Sequence, residues 1–369
     1  MSQQNQPTLL VTGASGHLGR RVLELLLEAQ AGSIIATTRT PDKLADFAER
    51  GVTVRPADFD NPASLAEAFA GADRLLLIST DAVGVPGQRL SQHRNAVKAA
   101  EQAGVRHVVY TSLINPGPDS PVLLAPDHHG TETALAESGL GWTVLRENIY
   151  TEVLLGSLIQ AVQFGGLFNA AANGRAAYIT REDCARAAAA ALADSFEGRR
   201  TLDITGPEAL SQTELAALAS QISGKEINYV PLELETLIQN MENAGLPRPV
   251  AEIYASFDTA VGQGKFSHVS SGVEELTGRK PISVAEFLSA NREALTKAAG
   301  QAGERLFRWR GVHGVPYMAK VIVFNVPASG HVNPSLPVVA ELVRRGENVI
   351  YYLTEAYRRA ADEILKLSQ

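Results

Sequence analysis

The residues best suited to chemistry belong to one glycine turn. Thr12-Gly13-Ala14-Ser15-Gly16-His17-Leu18-Gly19 follows the apolar run Thr8-Leu9-Leu10-Val11 and opens into Arg20-Arg21-Val22-Leu23-Glu24-Leu25-Leu26-Leu27. A strand, a glycine turn and a helix in that order let bare backbone approach a pyrophosphate, whose charge the first helical amides and the helix dipole favour. The spacing is G-x-x-G-x-x-G, one residue longer than G-x-G-x-x-G, and a turn of this kind also serves a tightly packed βα corner. Other residues must therefore decide. The second apolar run ends in Ala36-Thr37-Thr38-Arg39, with no acid to bond the free ribose hydroxyls of NAD. Arg39 offers a charged fork suited to a 2′-phosphate, which favours NADPH and leaves NADH the weaker partner; the plainer alternative is a solvated arginine at a loop start. After the third run, Asp58 could bond an adenine amino group and Phe59 flank the ring, or Asp58 could form an ordinary Asx turn. Ile78-Ser79-Thr80 ends the fourth run, at the carboxyl edge where open α/β sheets bind ligands, and would lie under the middle of a dinucleotide.

Six apolar runs frame these residues: Leu9 to Thr12, Ile34 to Thr38, Thr53 to Pro56, Arg74 to Ile78, His107 to Thr111 and Thr143 to Arg146. Helical patterns separate them at Leu18 to Ala29, Pro41 to Arg50, Pro62 to Phe69, Gly87 to Ala103 and Thr131 to Ser138. Such alternation predicts an α/β fold, a Rossmann-like doubly wound parallel sheet. Beyond Arg146 the pattern loosens. Arg175 to Thr180 reads as a strand or an extended loop, Arg181 to Ala193 as an Ala-rich helix, and Thr201 to Thr205 as a strand returning to the sheet. A capping box, Ser211 with Glu214, starts a further helix. A strand-like stretch at Ile227 to Val230 and helices near Leu232 to Ala244, Pro249 to Val261 and Ser283 to Ala299 complete a small, mostly helical substrate-side lobe drawn from residues 151–297.

With 45% hydrophobic and 20% charged residues the chain is globular, and its 369 residues allow about two to three domains. Cys184 is the only cysteine, so no intrachain disulfide can form, which fits a reducing compartment. The start Met1-Ser2-Gln3-Gln4-Asn5-Gln6 lacks the charged and apolar regions of a signal peptide, and no run approaches the roughly 18 apolar residues of a membrane span. A cytoplasmic protein is expected. A net charge of -7 without a basic stripe argues against nucleic acid as the main partner.

Several segments together carry a family resemblance: Val11 to Gly19, Leu75-Leu76-Leu77-Ile78-Ser79-Thr80, Gln92-His93-Arg94-Asn95, Gly104 to Leu113 and Leu145-Arg146-Glu147-Asn148-Ile149-Tyr150. From about residue 8 to about residue 295 the chain resembles the NmrA-like atypical short-chain dehydrogenases, and within them the bacterial NAD(P)H:quinone oxidoreductases of the second type. The resemblance implies NADPH over the glycine turn, Arg39 at its phosphate, and two-electron reduction of a quinone or similar planar acceptor. Triphenylmethane reductases share much of the pattern, so a conjugated dye is also compatible. Ordinary short-chain dehydrogenases carry Tyr-x-x-x-Lys after the fifth strand, but this chain reads Asp127-His128-His129-Gly130-Thr131-Glu132. His128 and Glu132 keep the i, i+4 spacing without the Tyr or the Lys. Interconverting an alcohol and a ketone needs a proton relay at the oxygen, so their loss points away from that reaction. On the acceptor side, His128 is the candidate general acid or hydrogen-bond donor, with Ser112, Asn148 and Tyr150 beside it. The plainer readings are a helix-start histidine and, for Tyr150 and Phe168, core aromatics. The group is also named for a regulator that binds the cofactor without turnover, which leaves a redox sensor as the alternative function.

Residues 298–317 have neither helical nor strand periodicity and read as a linker. Residues 318–369 resemble the start of a two-domain macrolide or UDP-type glycosyltransferase, with Gly330, His331 and Pro334 matching its Gly-His-x-x-Pro motif, a helix at Leu336 to Arg345 and a strand at Asn348 to Leu353. About 50 residues of βαβ cannot bury their own faces. The expectation is a truncated, appended fragment left by the joining of two reading frames.

Overall fold

The computed structural model describes residues 6–297 and two short strands at 320–323 and 348–351. The chain alternates as the periodicity demands: β1 (Thr8–Val11), α1 (His17–Glu28), β2 (Ser33–Thr38), a 3-10 turn (Pro41–Leu44) with α2 (Ala45–Ala48), β3 (Thr53–Pro56), α3 (Pro62–Phe69), β4 (Arg74–Leu77), α4 (Gln88–Gln102), β5 (His107–Leu113), α5 (Ala125–Glu137) and β6 (Gly141–Glu147). Then follow α6 (Thr151–Phe164), β7 (Gly166–Asn169), β8 (Arg175–Ala176), α7 (Arg181–Ala193), β9 (Arg199–Ile204), β10 (Leu210–Ser211), α8 (Gln212–Ser223), β11 (Asn228–Pro231), α9 (Leu234–Asn243), α10 (Arg248–Gly262), α11 (Gly272–Thr277) and α12 (Val284–Ala290).

Seven strands form one sheet in the order β3-β2-β1-β4-β5-β6-β9, every pair parallel. Both faces are covered over the middle of the sheet, which is why β1, β2, β4 and β5 are almost wholly buried and mostly apolar, whereas the edge strands β3 and β9 are more polar and partly exposed. Leu9, Val11, Ala36, Leu76, Val109 and Leu145 pack against α1 and α7 on one side. Leu10, Ile35, Leu75, Leu77, Val108, Tyr110 and Val144 pack against α3, α4 and α5 on the other. Each of the buried valine, leucine and isoleucine side chains among them contributes about 1.5–3 kcal/mol by leaving water. Arg74 opens β4 in this apolar setting because its guanidinium donates to the carbonyls of Leu192 (2.8 Å), Ala191 (3.1 Å) and Phe196 (2.9 Å), satisfying the end of α7.

The lobe has its own core, built from α6, α8, α12 and the end of α10, and it continues into Leu113 and Ile114 at the end of β5 and Val122 and Ala125 before and at the start of α5. It therefore packs on the carboxyl side of the sheet. It holds two small sheets, β11 with β7 and β10 with β8. The strand-or-loop stretch after Asn173 contributes only β8 and a single bridge from Ile179 to Tyr150. The Ser211 and Glu214 capping box forms as read.

Three expectations change, the first being the helix read over Ser283 to Ala299, which is interrupted after Ala290 where Asn291 leaves the helical backbone (φ -102°, ψ 18°). The helix read over Pro41 to Arg50 is a 3-10 turn and one short helical turn, because the backbone breaks at Leu44 (φ -118°, ψ 20°). The helix read from Thr131 begins six residues earlier, at Ala125, since Pro126 is tolerated in a first turn. Residues 320–323 and 348–351 pair as parallel strands in the register Lys320 to Asn348. The linker at 298–317, the helix at Leu336 to Arg345 and the motif residues Gly330, His331 and Pro334 lie outside the described residues.

Candidate active site

The glycine turn lies at the carboxyl end of β1, between the ends of β2 and β4. Gly13 adopts φ +58°, open to glycine without strain. Its carbonyl accepts from Gly16 N–H (3.0 Å), while Ala14 N–H is tied to the Thr37 carbonyl of β2 (3.1 Å). A Cβ on Gly19 would lie 2.5 Å from the Gly13 oxygen, so α1 meets the turn more closely than any side chain allows. Ala14, Leu18 and Gly19 are buried, whereas Gly13, Gly16 and His17 are exposed. Helix α1 starts at His17 with no side-chain cap and no acidic group in its first turn. Its leading amides thus face outward for an anion, and the narrow turn has no Cβ to block one.

At the end of β2 the Ser15 and Thr38 hydroxyls bond at 2.9 Å, and Thr40 N–H donates to Thr38 Oγ1 (3.2 Å). Arg39 is exposed beside them. Lys43, four residues on and also exposed, is a second cation there, missed when the segment is read only as helix; its carbonyl accepts from Arg20 at 2.7 Å. After β3, Asp58 Oδ1 accepts from Asp60 N–H (3.0 Å), the Asx turn that was the plainer reading. Phe59 is half-buried against the α3 and α4 side. That loop is stapled to α4: Asn95 donates to the Phe59 carbonyl (3.0 Å), and Gln92 to Asp60 (2.9 Å).

The end of β4 is held at each amide. Ile78 N–H donates to Thr12 Oγ1 (3.0 Å), Ser79 N–H to Thr111 Oγ1 (2.9 Å), and Thr80 N–H to His93 Nε2 (3.0 Å). Ile78 also floors the turn, 3.5 Å from where a Cβ of Gly13 would stand.

On β5, on α5 and in the turn from β6 into α6 the structure places the four acceptor-side candidates with inward partners. His128 is the fourth residue of α5, the helix-start histidine of the plainer reading, and is buried with Nδ1 2.9 Å from the Tyr110 hydroxyl and Nε2 3.0 Å from the Arg89 guanidinium. Guanidinium can only donate, so Nε2 carries no proton and Nδ1–H donates to Tyr110. Burial, then the Arg89 charge, holds the His128 pKa well below its usual value, so the ring is neutral. Ser112 donates to Glu132 (2.6 Å), whose two oxygens also accept a fork from Arg146 (3.0 and 2.6 Å). Asn148 donates to the Phe266 carbonyl (3.0 Å) and accepts from Ile149 N–H, pinning the lobe to the end of β6. The Tyr150 hydroxyl donates to Glu147 Oε2, and its ring lies under the Arg181 guanidinium. Glu147 is 4% exposed, its Oε1 has no partner, and burial pushes its pKa up to about 7. Sequence reasoning passed over Glu147, since a carboxylate ending a strand carries no local signal. Cys184 is buried in the same face of the sheet, its thiol pushed well above the ordinary range first by burial.

Residues 13–195 match a family model described as NAD(P)H-binding. The chain is 36% identical over 282 residues to quinone oxidoreductase 2 of Escherichia coli (strain K12), covering 76% of this chain and 97% of that protein. It is also 32% identical over 299 residues to an NmrA-like family domain-containing oxidoreductase of Aspergillus flavus, covering 77% of this chain and 96% of that protein, and it belongs to this NAD(P)H-binding, NmrA-like family. Among solved structures, the NADPH complex of the Escherichia coli quinone oxidoreductase superposes with a TM-score of 0.73, covering 76% of this chain and 99% of that one. Triphenylmethane reductase of Citrobacter sp., complexed with NADP(H), gives 0.71 at 33% identity, covering 79% and 99%. This NmrA-like protein is thus an oxidoreductase with a Rossmann-like fold. No helix of the described residues is long and apolar enough to cross a membrane.

Proposed function

We propose that this protein reduces a small planar conjugated acceptor, such as a quinone, with NADPH. The observation that carries the reading is the state of His128 and Glu132, which occupy the spacing of the missing Tyr and Lys. One is a neutral, buried ring held between Arg89 and Tyr110, and the other is committed to Ser112 and Arg146. Neither is left to serve as a proton relay, which an alcohol and ketone pair would require. A quinone accepts hydride without one at the same step, because the product anion is aromatically stabilised; a cationic dye becomes neutral.

The backbone of Gly13, Ala14, Ser15, Gly16, His17, Leu18 and Gly19 would receive the pyrophosphate of NADPH, and Arg39 with Lys43 its 2′-phosphate. Asp58 and Phe59 border the adenine side, and Ile78, Ser79 and Thr80 the middle. Bound there, NADPH supplies the hydride. Ser112, His128, Asn148 and Tyr150 hold the ends of β5, α5 and β6 in place. The connections leaving the carboxyl edge also present exposed apolar side chains, Val85 after β4, Leu123 before α5 and Val153 in the first turn of α6. An apolar ring system suits them, and water would be displaced from the nicotinamide by it. The relatives named for a quinone and for triphenylmethane dyes support this class of acceptor.

The test is loss of the reduced-nicotinamide absorbance with and without a simple benzoquinone or a triphenylmethane dye. Turnover of either supports the reading. A tight NADPH complex that reduces neither would overturn it in favour of a redox sensor that binds the cofactor without catalysis.

A further inference from the structure

We propose that Arg89 is a positioning residue that fixes the Ile78–Thr80 strand end bordering the middle of the bound cofactor; this rests on reading the chain as a nicotinamide-dependent reductase. Arg89 lies in the first turn of α4, yet only 4% of it is exposed. Its Nε donates to the Thr80 carbonyl at 2.7 Å and one terminal nitrogen to His128 Nε2 at 3.0 Å. The other terminal nitrogen is buried without a hydrogen bond, 3.8 Å from the Asp127 carboxylate. A guanidinium taken out of water with one end unsatisfied costs stability. The helix surface offers solvent within one turn, so the arrangement is a constraint rather than a default.

What it constrains is Thr80. The carbonyl of Thr80 is gripped by Arg89 and its N–H by His93 Nε2, both from α4. Each grip is anchored further in. His93 Nδ1–H donates to the Thr131 hydroxyl (2.9 Å), which donates to the Asp127 carbonyl (2.6 Å). His128 Nδ1–H donates to Tyr110 on β5. Because Thr80 N–H and the guanidinium are both donors, each histidine must present a bare Nε2, and burial together with the Arg89 charge keeps both rings neutral. Two hydrogen-bonded lines thus run from one residue, through the peptides on either side of it, into α5 and β5. Hydride transfer is sensitive to placement, and a 1 Å error can cost roughly a hundredfold in rate. Neither line reaches Arg39 at the adenosine end.

The experiment compares Arg89→Met and Arg89→Lys with the wild type, using 2′,5′-ADP as a probe of the adenosine end alone. The expected result is unchanged 2′,5′-ADP affinity, a dissociation constant for NADPH raised roughly fivefold or more, kcat lowered roughly tenfold to a hundredfold, and faster hydrogen exchange at the Thr80 amide. Lysine can reach only one of the two acceptors, so Arg89→Lys should show the same split in smaller degree. Millimolar guanidinium should restore part of kcat to the Met variant. If Arg89→Met does not fold, Arg89→Lys decides the matter. A folded variant whose NADPH affinity and kcat equal the wild-type values, whatever its melting temperature, would overturn the proposal. So would parallel loss of NADPH and 2′,5′-ADP affinity, which marks general damage. Wild-type protein that binds NADPH but reduces no acceptor defeats only the reductase reading, and the two binding constants and Thr80 exchange then still decide the role of Arg89.

Discussion

Replacing Glu147 with glutamine should change how the stability of this protein depends on pH. The Glu147 carboxyl is buried at the end of β6, accepts from the Tyr150 hydroxyl at Oε2, and has no partner at Oε1. Burial raises its pKa from 4.5 to about 7. Below pH 4.5 the group is protonated whether the chain is folded or unfolded, and it makes no difference. Between pH 4.5 and about 7 the unfolded chain releases the proton and the folded protein keeps it. Stability therefore falls as pH rises, by about 1.4 kcal/mol per pH unit, and levels off above about 7. The whole loss is about 3 kcal/mol. Glutamine keeps an oxygen for Tyr150 and never ionises, so the variant gains on the wild type by that amount across the same window. Urea unfolding of both proteins at half-unit steps from pH 4.5 to 8.5 measures it. All other titrating groups are shared and cancel in the difference. Two stability curves that stay parallel through the window would refute the reasoning, as would a gap that widens on the acid side.

Further outcomes follow from the turn and the helix ends. Arg39→Asp should move the ratio of kcat/KM for NADPH over NADH toward NADH by about tenfold or more, since a charge-assisted phosphate contact is exchanged for a repulsion; an unchanged ratio removes Arg39 from the site. Gly19→Ala puts a Cβ 2.5 Å from the Gly13 oxygen, so the turn must open, and cofactor affinity should fall at least about tenfold by fluorescence titration while the far sheet stays intact. Arg74→Met strips the donors from three carbonyls near the end of α7; denaturant unfolding should show a loss of about 2–4 kcal/mol, partly restored by lysine.

Local readings succeeded where the signal was local. The Ala-rich helix α7 runs over Arg181–Ala193 as read, with Thr180 capping it through Asp183 N–H, because caps and helix period are settled within a few residues. The start of α5 did not show. Its first six residues, Ala-Pro-Asp-His-His-Gly, have no apolar period, and Gly130 within it is explained only by Leu90 of α4, 2.8 Å from where its Cβ would be. Without that start, His128 reads as a candidate donor to the acceptor. In the helix it faces Arg89, 39 residues earlier, and becomes an acceptor held neutral.

By itself the sequence determined that a parallel sheet would form, that a glycine turn would close its first βα corner, and that no Tyr-x-x-x-Lys pair would stand behind it. Those follow from residue type and short spacing. Only the tertiary structure decided what the polar side chains do. Whether His128 is charged, whether Glu147 keeps its proton and which peptide Arg89 holds all depend on burial and on partners dozens of residues away. The free energy of a buried polar group is set by what surrounds it, and the chain acquires those surroundings only when it is folded.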